Sequence, residues 1–170
     1  ARQPVARRDV ALGIGDDAAI LQPAPGQQLV VTTDLLVAGV HFLPDVDPAS
    51  LGHKALAVNL SDLAAMGAEP AWFLLNIALP SVDEKWLAGF CAGLFALARQ
   101  YNVQLVGGDT SRGPLTIAIE AHGFVPAGQA LTRAGARSGD RIFVTGTLGD
   151  AGLALRHRQG RLQLAAAELP

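Results

Sequence analysis

Hydrophobic positions recur along the chain at two spacings, and the spacing switches at glycines, prolines and aspartates. Gln28–Leu36 is rich in Val and Thr and predicts a strand, with Val37–Phe42 continuing it after a bend at Gly39. Asp47-Pro48 is a helix start, a capping carboxylate followed by proline at the first helical position. That helix should run to about Met66 and stop at Gly67. It is apolar nearly all round: Leu56, Leu60 and Leu63 form one row, and Leu51, Ala55, Val58 and Met66 another. Such a helix is expected to be buried between layers, with Asp62 among its apolar positions. Ala71–Leu79 predicts a buried strand closed by Pro80. Asp83 caps a second helix reaching about Gln100, with Trp86, Phe90, Leu94 and Leu97 as its stripe. Val103–Val106 is a short strand ending at Gly107-Gly108-Asp109. Leu115–Val125 alternates, with Ile117, Ile119 and Ala121 on one side and Thr116, Glu120 and His122 nearer the other. A further strand is expected at Arg141–Thr145, then a weak helix to the end. Residues 1–10 read as a poorly defined lead-in, and residues 12–21 as a Gly-rich loop entering a short apolar strand.

This order predicts an α+β fold, a mixed β-sheet with helices packed on one face. Residues 1–126 would form an N-terminal domain. Residues 127–140, rich in Gly, Arg and Ser, would be a linker, and 141–170 the beginning of a C-terminal domain.

Composition narrows the partners. Half of the 170 residues are hydrophobic, 16% are charged and the net charge is −2. Lysines and arginines are scattered, so no basic track for nucleic acid forms. No apolar run is long enough for a membrane span, and the start lacks a signal-peptide pattern. The lone Cys91 cannot form an internal disulfide, which suits a reducing cytoplasm.

Aspartate outnumbers glutamate eleven to four, and many aspartates follow Gly, Ser or Thr. Short carboxylates in that setting serve as turns and caps, or as ligands for a hard cation. Both readings stand for Asp16, Asp17, Asp34 and Asp109. Asp16 and Asp17 are adjacent, so only one is expected to face a site. Thr32 and Asp34 share one strand face and Thr33 takes the other. Asp62 is the strongest independent candidate, because a carboxylate on an otherwise apolar helix needs a partner or a metal. Asp47, Asp83 and Asp140 fit capping or turn roles. Arg133 is either a phosphate clamp or a solvated linker residue, and Arg112 is a weaker version of the same choice. His41 is either a ligand contact or structural; His53, His122 and His157 have no supporting context. Neither lysine follows a Gly-rich loop, so the Walker pattern is absent, as are the protein-kinase motifs and zinc spacings.

Five segments together resemble one family. They are Leu12-Gly-Ile-Gly-Asp-Asp17, Thr32-Thr-Asp-Leu-Leu-Val-Ala-Gly-Val-His-Phe42, the run from Lys54 to Ala68 containing Asn59-Leu-Ser-Asp-Leu-Ala-Ala-Met-Gly67, Gly107-Gly-Asp-Thr110 and Ala130-Leu-Thr-Arg-Ala-Gly135. They look like the thiamine-monophosphate kinases, in the superfamily of aminoimidazole ribonucleotide synthetase and selenophosphate synthetase. The Gly-Asp-Asp and Gly-Gly-Asp pieces are shared across the superfamily; the two long runs are particular to the kinases.

The resemblance implies transfer of phosphate from ATP to thiamine monophosphate, giving ADP and thiamine diphosphate. It makes Asp17, Thr32, Thr33, Asp34, Asp62 and Asp109 ligands of several Mg²⁺ ions. Gly108, Asp109 and Arg133 would contact ATP, and His41 the thiamine phosphate. No general base is expected, because the acceptor phosphate is already ionised. The family forms homodimers through the sheet of this domain. Its full second domain brings another metal-binding aspartate, and the stretches around Gly149–Gly152 and before Val10 look shorter here. The expectation is that this chain alone is a poor catalyst and binds Mg-ATP weakly or not at all.

Overall fold

The computed structural model describes residues 4–165. The chain divides into two compact units, one ending at Arg133 and one starting at Ala134.

In the first unit, β1 (Val10–Leu12) pairs antiparallel with β2 (Ile20–Leu21). The elements β3 (Gln27–Val37), α1 (Pro48–Ala65), β4 (Glu69–Leu79), α2 (Glu84–Gln100), β5 (Gln104–Arg112) and β6 (Thr116–Pro126) follow. Four strands form one sheet in the order β3-β6-β4-β5. β6 is antiparallel to both neighbours, whereas β4 and β5 are parallel, joined through α2. The sheet is therefore mixed, as expected.

Both helices start as their capping residues dictate. Asp47 accepts the Ser50 N–H at 2.8 Å, and Asp83 accepts those of Lys85 and Trp86 at 2.9 and 3.0 Å. The stripe on α2 buries Phe90, Leu94 and Leu97 in the main core, beside Leu51, Leu56, Leu63, Phe73, Ile117 and Ile119. Trp86 stacks on Phe90 with ring centroids 5.4 Å apart. The two helices approach through glycines. A β-carbon on Gly93 would lie 1.8 Å from the Ala49 carbonyl oxygen, and one on Gly52 would lie 2.0 Å from that of Phe90. A second cluster, Ala71, Trp72, Val106 and Phe124, lies under Val10, Ala19 and Leu21 of the β1–β2 hairpin.

Five expectations need correction. Helix α1 has one covered side rather than two: Leu51, Ala55, Leu56, Leu60 and Leu63 are buried, but Asp62 is exposed. Asp62 faces water and so needs no partner for its charge. Val37–Phe42 does not continue β3; Gly39 turns at φ 77° and only an isolated bridge links Ala38 to Phe42. Strand β5 does not stop at Val106 but runs to Arg112, because β4 supplies hydrogen-bonding partners along that length. The lead-in before Val10 is anchored at Arg7 and Asp9 by hydrogen bonds to Gln104 and Trp72 and to each other. Arg141–Thr145 forms no strand. Ile142 and Phe143 are 94% and 84% exposed, and no partner strand is available to them in the described part of the second unit.

The second unit contains α3 (Asp150–Arg158). Residues 161–165 are not helical, and the rest of the predicted terminal helix, 166–170, lies outside the described residues.

Candidate functional site

Two cavities in the first unit collect most of the candidate residues. The first, about 610 Å³, lies between the loop joining β1 to β2 and the strands β4 and β5. Its lining includes Asp16, Asp17, Gly107, Gly108, Asp109 and His122. The two adjacent aspartates differ in role. Asp16 turns back and accepts the Asp17 N–H at 2.8 Å, tightening a turn that passes through Gly15 at φ 131°. Among the described residues no hydrogen-bond donor reaches the Asp17 carboxylate.

Across the cavity, β5 bulges. Phe73 pairs with Leu105 but Leu74 with Gly107, so Val106 is the extra residue. Just beyond, Gly108 takes φ 139°, and a β-carbon there would sit 1.8 Å from the Leu75 carbonyl oxygen. Glycine is thus required by strand packing alone, and the bulge re-aims Asp109. The Asp109 carboxylate accepts the Ser111 hydroxyl at 2.9 Å and stays exposed.

The second cavity, about 460 Å³, is lined by Val30, Val31, Thr32, Asp62, Ala65, Met66, Leu131, Thr132 and Arg133. The Thr32 hydroxyl donates to Asp62 at 2.9 Å. Arg133 arrives because residues 127–131 are hydrogen-bonded to the start of β3 and the end of α1. Ala127 donates to the Gly26 carbonyl at 3.0 Å, Gly128 to the Gln28 side chain at 2.7 Å, and Leu131 to the Met66 carbonyl at 3.0 Å. The Leu131 side chain also lies against Gly67.

The remaining candidates lie outside both linings. Thr33 is exposed and donates its hydroxyl to the Ile119 carbonyl at 3.0 Å. Asp34 is half-buried opposite Ile119. His41 sits on the exposed turn after β3. Its Nδ1 accepts the Val37 N–H at 3.0 Å, and its carbonyl accepts Lys54 Nζ at 2.6 Å. That hydrogen bond places the proton of the neutral imidazole on Nε2.

The structure therefore brings Asp17 together with Gly108 and Asp109, and Thr32 with Asp62 and Arg133. Among the described residues no three His, Cys, Asp or Glu side chains are grouped closely enough to hold a metal by themselves. The first cavity instead offers the carboxylates of Asp16, Asp17 and Asp109 with the Thr110 hydroxyl, and the second that of Asp62 with the Thr32 hydroxyl. That donor set fits Mg²⁺, which keeps several waters and takes its other ligands from phosphate oxygens.

A model for the AIR synthase related protein, N-terminal domain, matches residues 15–125. The chain belongs to this family. Among curated relatives, the thiamine-monophosphate kinase of Escherichia coli K12 is 60% identical over 162 residues, covering 95% of this chain and 50% of the relative. The crystal structure of thiamine-monophosphate kinase from Stenotrophomonas maltophilia K279a superposes with a TM-score of 0.86 at 56% identity, covering 92% of this chain and 50% of the other. The structure of AaThiL complexed with AMPPCP and TMP gives a TM-score of 0.76 at 34% identity, covering 89% and 49%. The chain spans about half the length of the curated relatives it matches.

Within this AIR synthase related domain, sequence reasoning passed over two features of the first cavity. His122 lines it, with Nε2 3.2 Å from Glu120 and a buried Nδ1 that has no partner among the described residues. Burial pushes the imidazole below its ordinary value, against an upward pull from Glu120. Its alternation on β6 marked His122 as lying opposite the core face, but nothing in the sequence placed it beside Asp17. The second feature is the set of residues that anchors the Asp17 loop.

Proposed function

We propose that this chain is the N-terminal part of a thiamine-monophosphate kinase, which transfers the terminal phosphoryl group of ATP to thiamine monophosphate and releases ADP and thiamine diphosphate. The observation that carries this reading is 60% identity to such a kinase across 95% of the chain, which includes both cavities. The AaThiL complex with AMPPCP, an ATP analogue, and TMP supports the same pair of substrates.

The residues divide the work as follows. Asp17, Thr32, Thr33, Asp34, Asp62 and Asp109 are the proposed oxygen ligands for several Mg²⁺ ions. Mg²⁺ supplies charge neutralisation and alignment for two polyanions that would otherwise repel. Gly108 and Asp109 present β5 backbone and carboxylate to the nucleotide. Arg133 adds a planar donor fork suited to phosphate; its guanidinium has no ion pair among the described residues. His41, with its proton on Nε2, presents a donor to the thiamine phosphate. No side chain need remove a proton, since the attacking oxygen is ionised at neutral pH. Residues 1–126 are the proposed ATP- and Mg²⁺-binding and dimerisation domain, 127–140 the linker and 141–170 the start of a second domain.

The protein is further proposed to be a cytoplasmic homodimer joined through the sheet face turned away from the helices. Leu29, Val31 and Leu35 on edge strand β3 are 47%, 52% and 55% exposed there. Such a row on a sheet edge needs cover.

The test is ADP production by the protein in its full natural length, with thiamine monophosphate set against other phosphorylated acceptors. Release that depends on thiamine monophosphate and stops when Mg²⁺ is chelated is the expected result. Equal or greater turnover with another acceptor would reassign the substrate within the superfamily. This 170-residue chain alone is expected to turn over poorly; robust catalysis by it would refute the need for a second domain.

A further inference from the structure

The loop bearing Asp17 has no helix beneath it and rests at both ends on one hydrogen-bonded clasp. Arg7 grips Asp9 with two parallel bonds, Nε to Oδ1 at 2.9 Å and a terminal nitrogen to Oδ2 at 2.7 Å. The Trp72 indole N–H, from the floor of the second core cluster, donates to the same Asp9 Oδ1 at 3.1 Å. The other terminal nitrogen of Arg7 reaches the Asn102 carbonyl at 2.9 Å, and the Arg7 backbone N–H reaches Gln104 Oε1 at 2.6 Å. Gln104 is nearly buried and its amide nitrogen lies against Gly13, at the entry of the loop. The exit is held by Gln22, whose N–H donates to the Asp9 carbonyl at 2.8 Å.

Asp9 thus joins three parts of the fold: β4 through Trp72, the segment leading into β5 through Arg7, and the end of β2 through its own carbonyl. The loop between Gly13 and Ala19 is suspended across that frame, over the bulge that presents Asp109. We infer that Arg7, Asp9, Trp72 and Gln104 are positioning residues that set the distance between Asp17 and Asp109 across the first cavity, and so set affinity for the metal-bound nucleotide. This rests on the kinase reading above for the identity of the ligand, but not for the clasp itself.

Asp9→Asn keeps the side-chain volume and an acceptor oxygen for Trp72 while removing the charge that holds Arg7. In the full-length protein, hydrogen exchange in peptides spanning residues 11–19 should quicken about tenfold. The KM for Mg-ATP should rise about tenfold, the usual scale for losing a group that orients a ligand, with the KM for thiamine monophosphate within about twofold. Adding Arg7→Gln to Asp9→Asn should raise the KM for Mg-ATP by less than Arg7→Gln raises it alone, because the two share one pair and only the Arg7 bond to the Asn102 carbonyl is left to lose. Calorimetric titration with Mg-ADP reads the same affinity without turnover. Absence of thiamine-dependent turnover in the wild type, with Mg-ADP still bound more weakly by Asp9→Asn, would sink the kinase reading and leave the clasp standing. Unchanged exchange in residues 11–19 would overturn the inference. So would faster exchange with unaltered nucleotide affinity, or a wild type that binds no Mg-ADP.

Discussion

The two cavities hold the same kinds of side chain and are built in opposite ways. The first is assembled from distant parts: a loop pinned by Arg7 and Asp9, a bulged parallel strand, and a half-buried histidine from β6. Its geometry depends on Gly108, where a side chain would collide with backbone. The second lies along the exposed side of α1, where β3, the end of the helix and the returning chain at Leu131–Arg133 meet. Its carboxylate is solvated and its hydrogen bond to Thr32 lies at the surface. The first cavity therefore depends on a backbone approach that admits no side chain, whereas the second lies along one exposed helix side.

Substitutions at the carboxylates should break this comparison most sharply. Asp17→Asn and Asp62→Asn should each lower kcat/KM of the full-length protein about 100-fold, with stability changed by less than about 0.5 kcal/mol because both groups are exposed. Retention of activity by one variant alone would mean that only the other cavity works. Binding of Mg²⁺ unaltered by Asp62→Asn would return that residue to a solvated helix position.

Stability separates the cavities next. Gly108→Ala should cost about 3 kcal/mol or more in urea unfolding, since the new β-carbon meets backbone that cannot rotate away. Gly67→Ala, at the end of α1 with φ 70° and a flexible leucine nearby, should cost only about 1 kcal/mol. Equal costs would remove the distinction between the two walls. Arg133→Gln should raise the KM for Mg-ATP about tenfold, or 1.4 kcal/mol, with no change in thermal midpoint.

The smallest effect is one of pH. His122 has a folded pKa below its ordinary 6.5, so the unfolded chain takes up the proton more readily. The stability this contributes is present above pH 6.5 and is lost as pH falls through the lowered folded value. His122→Asn should flatten the decline of the thermal midpoint across that range. An unaltered decline would show that His122 does not sense it. Asp9 responds further down. Burial raises its pKa, but hydrogen bonds from Arg7 and Trp72 and the Arg7 charge outweigh it, so its contribution is lost only below its ordinary 3.8.

Legibility followed locality. Asp47 and Asp83 were readable as caps because a cap and its N–H donors lie within three residues. The buried face of β6 was readable from alternation, and the stripe of α2 from helical spacing. Burial of α1 was misjudged because apolar Val58 and Met66 give no sign of which side a helix turns to the sheet; both remain only partly covered. The lead-in before Val10 looked structureless because Arg7 and Asp9 find their partners, Trp72, Asn102 and Gln104, more than sixty residues away.

By itself the sequence determined the α+β class, the order of the main elements, their caps and the list of oxygen donors. These depend on residue type and on spacings of a few positions, which folding does not alter. Only the tertiary structure decided that the donors fall into two groups, that Arg133 returns to Asp62, and that Asp9 is the clasp beneath Asp17. Those outcomes depend on strand register, on a one-residue bulge and on where a side chain comes to rest after burial. The cause lies in close packing: the pairing of β4 with β5 carries Asp109 to the cavity, and the residues that enforce that pairing are remote in the chain.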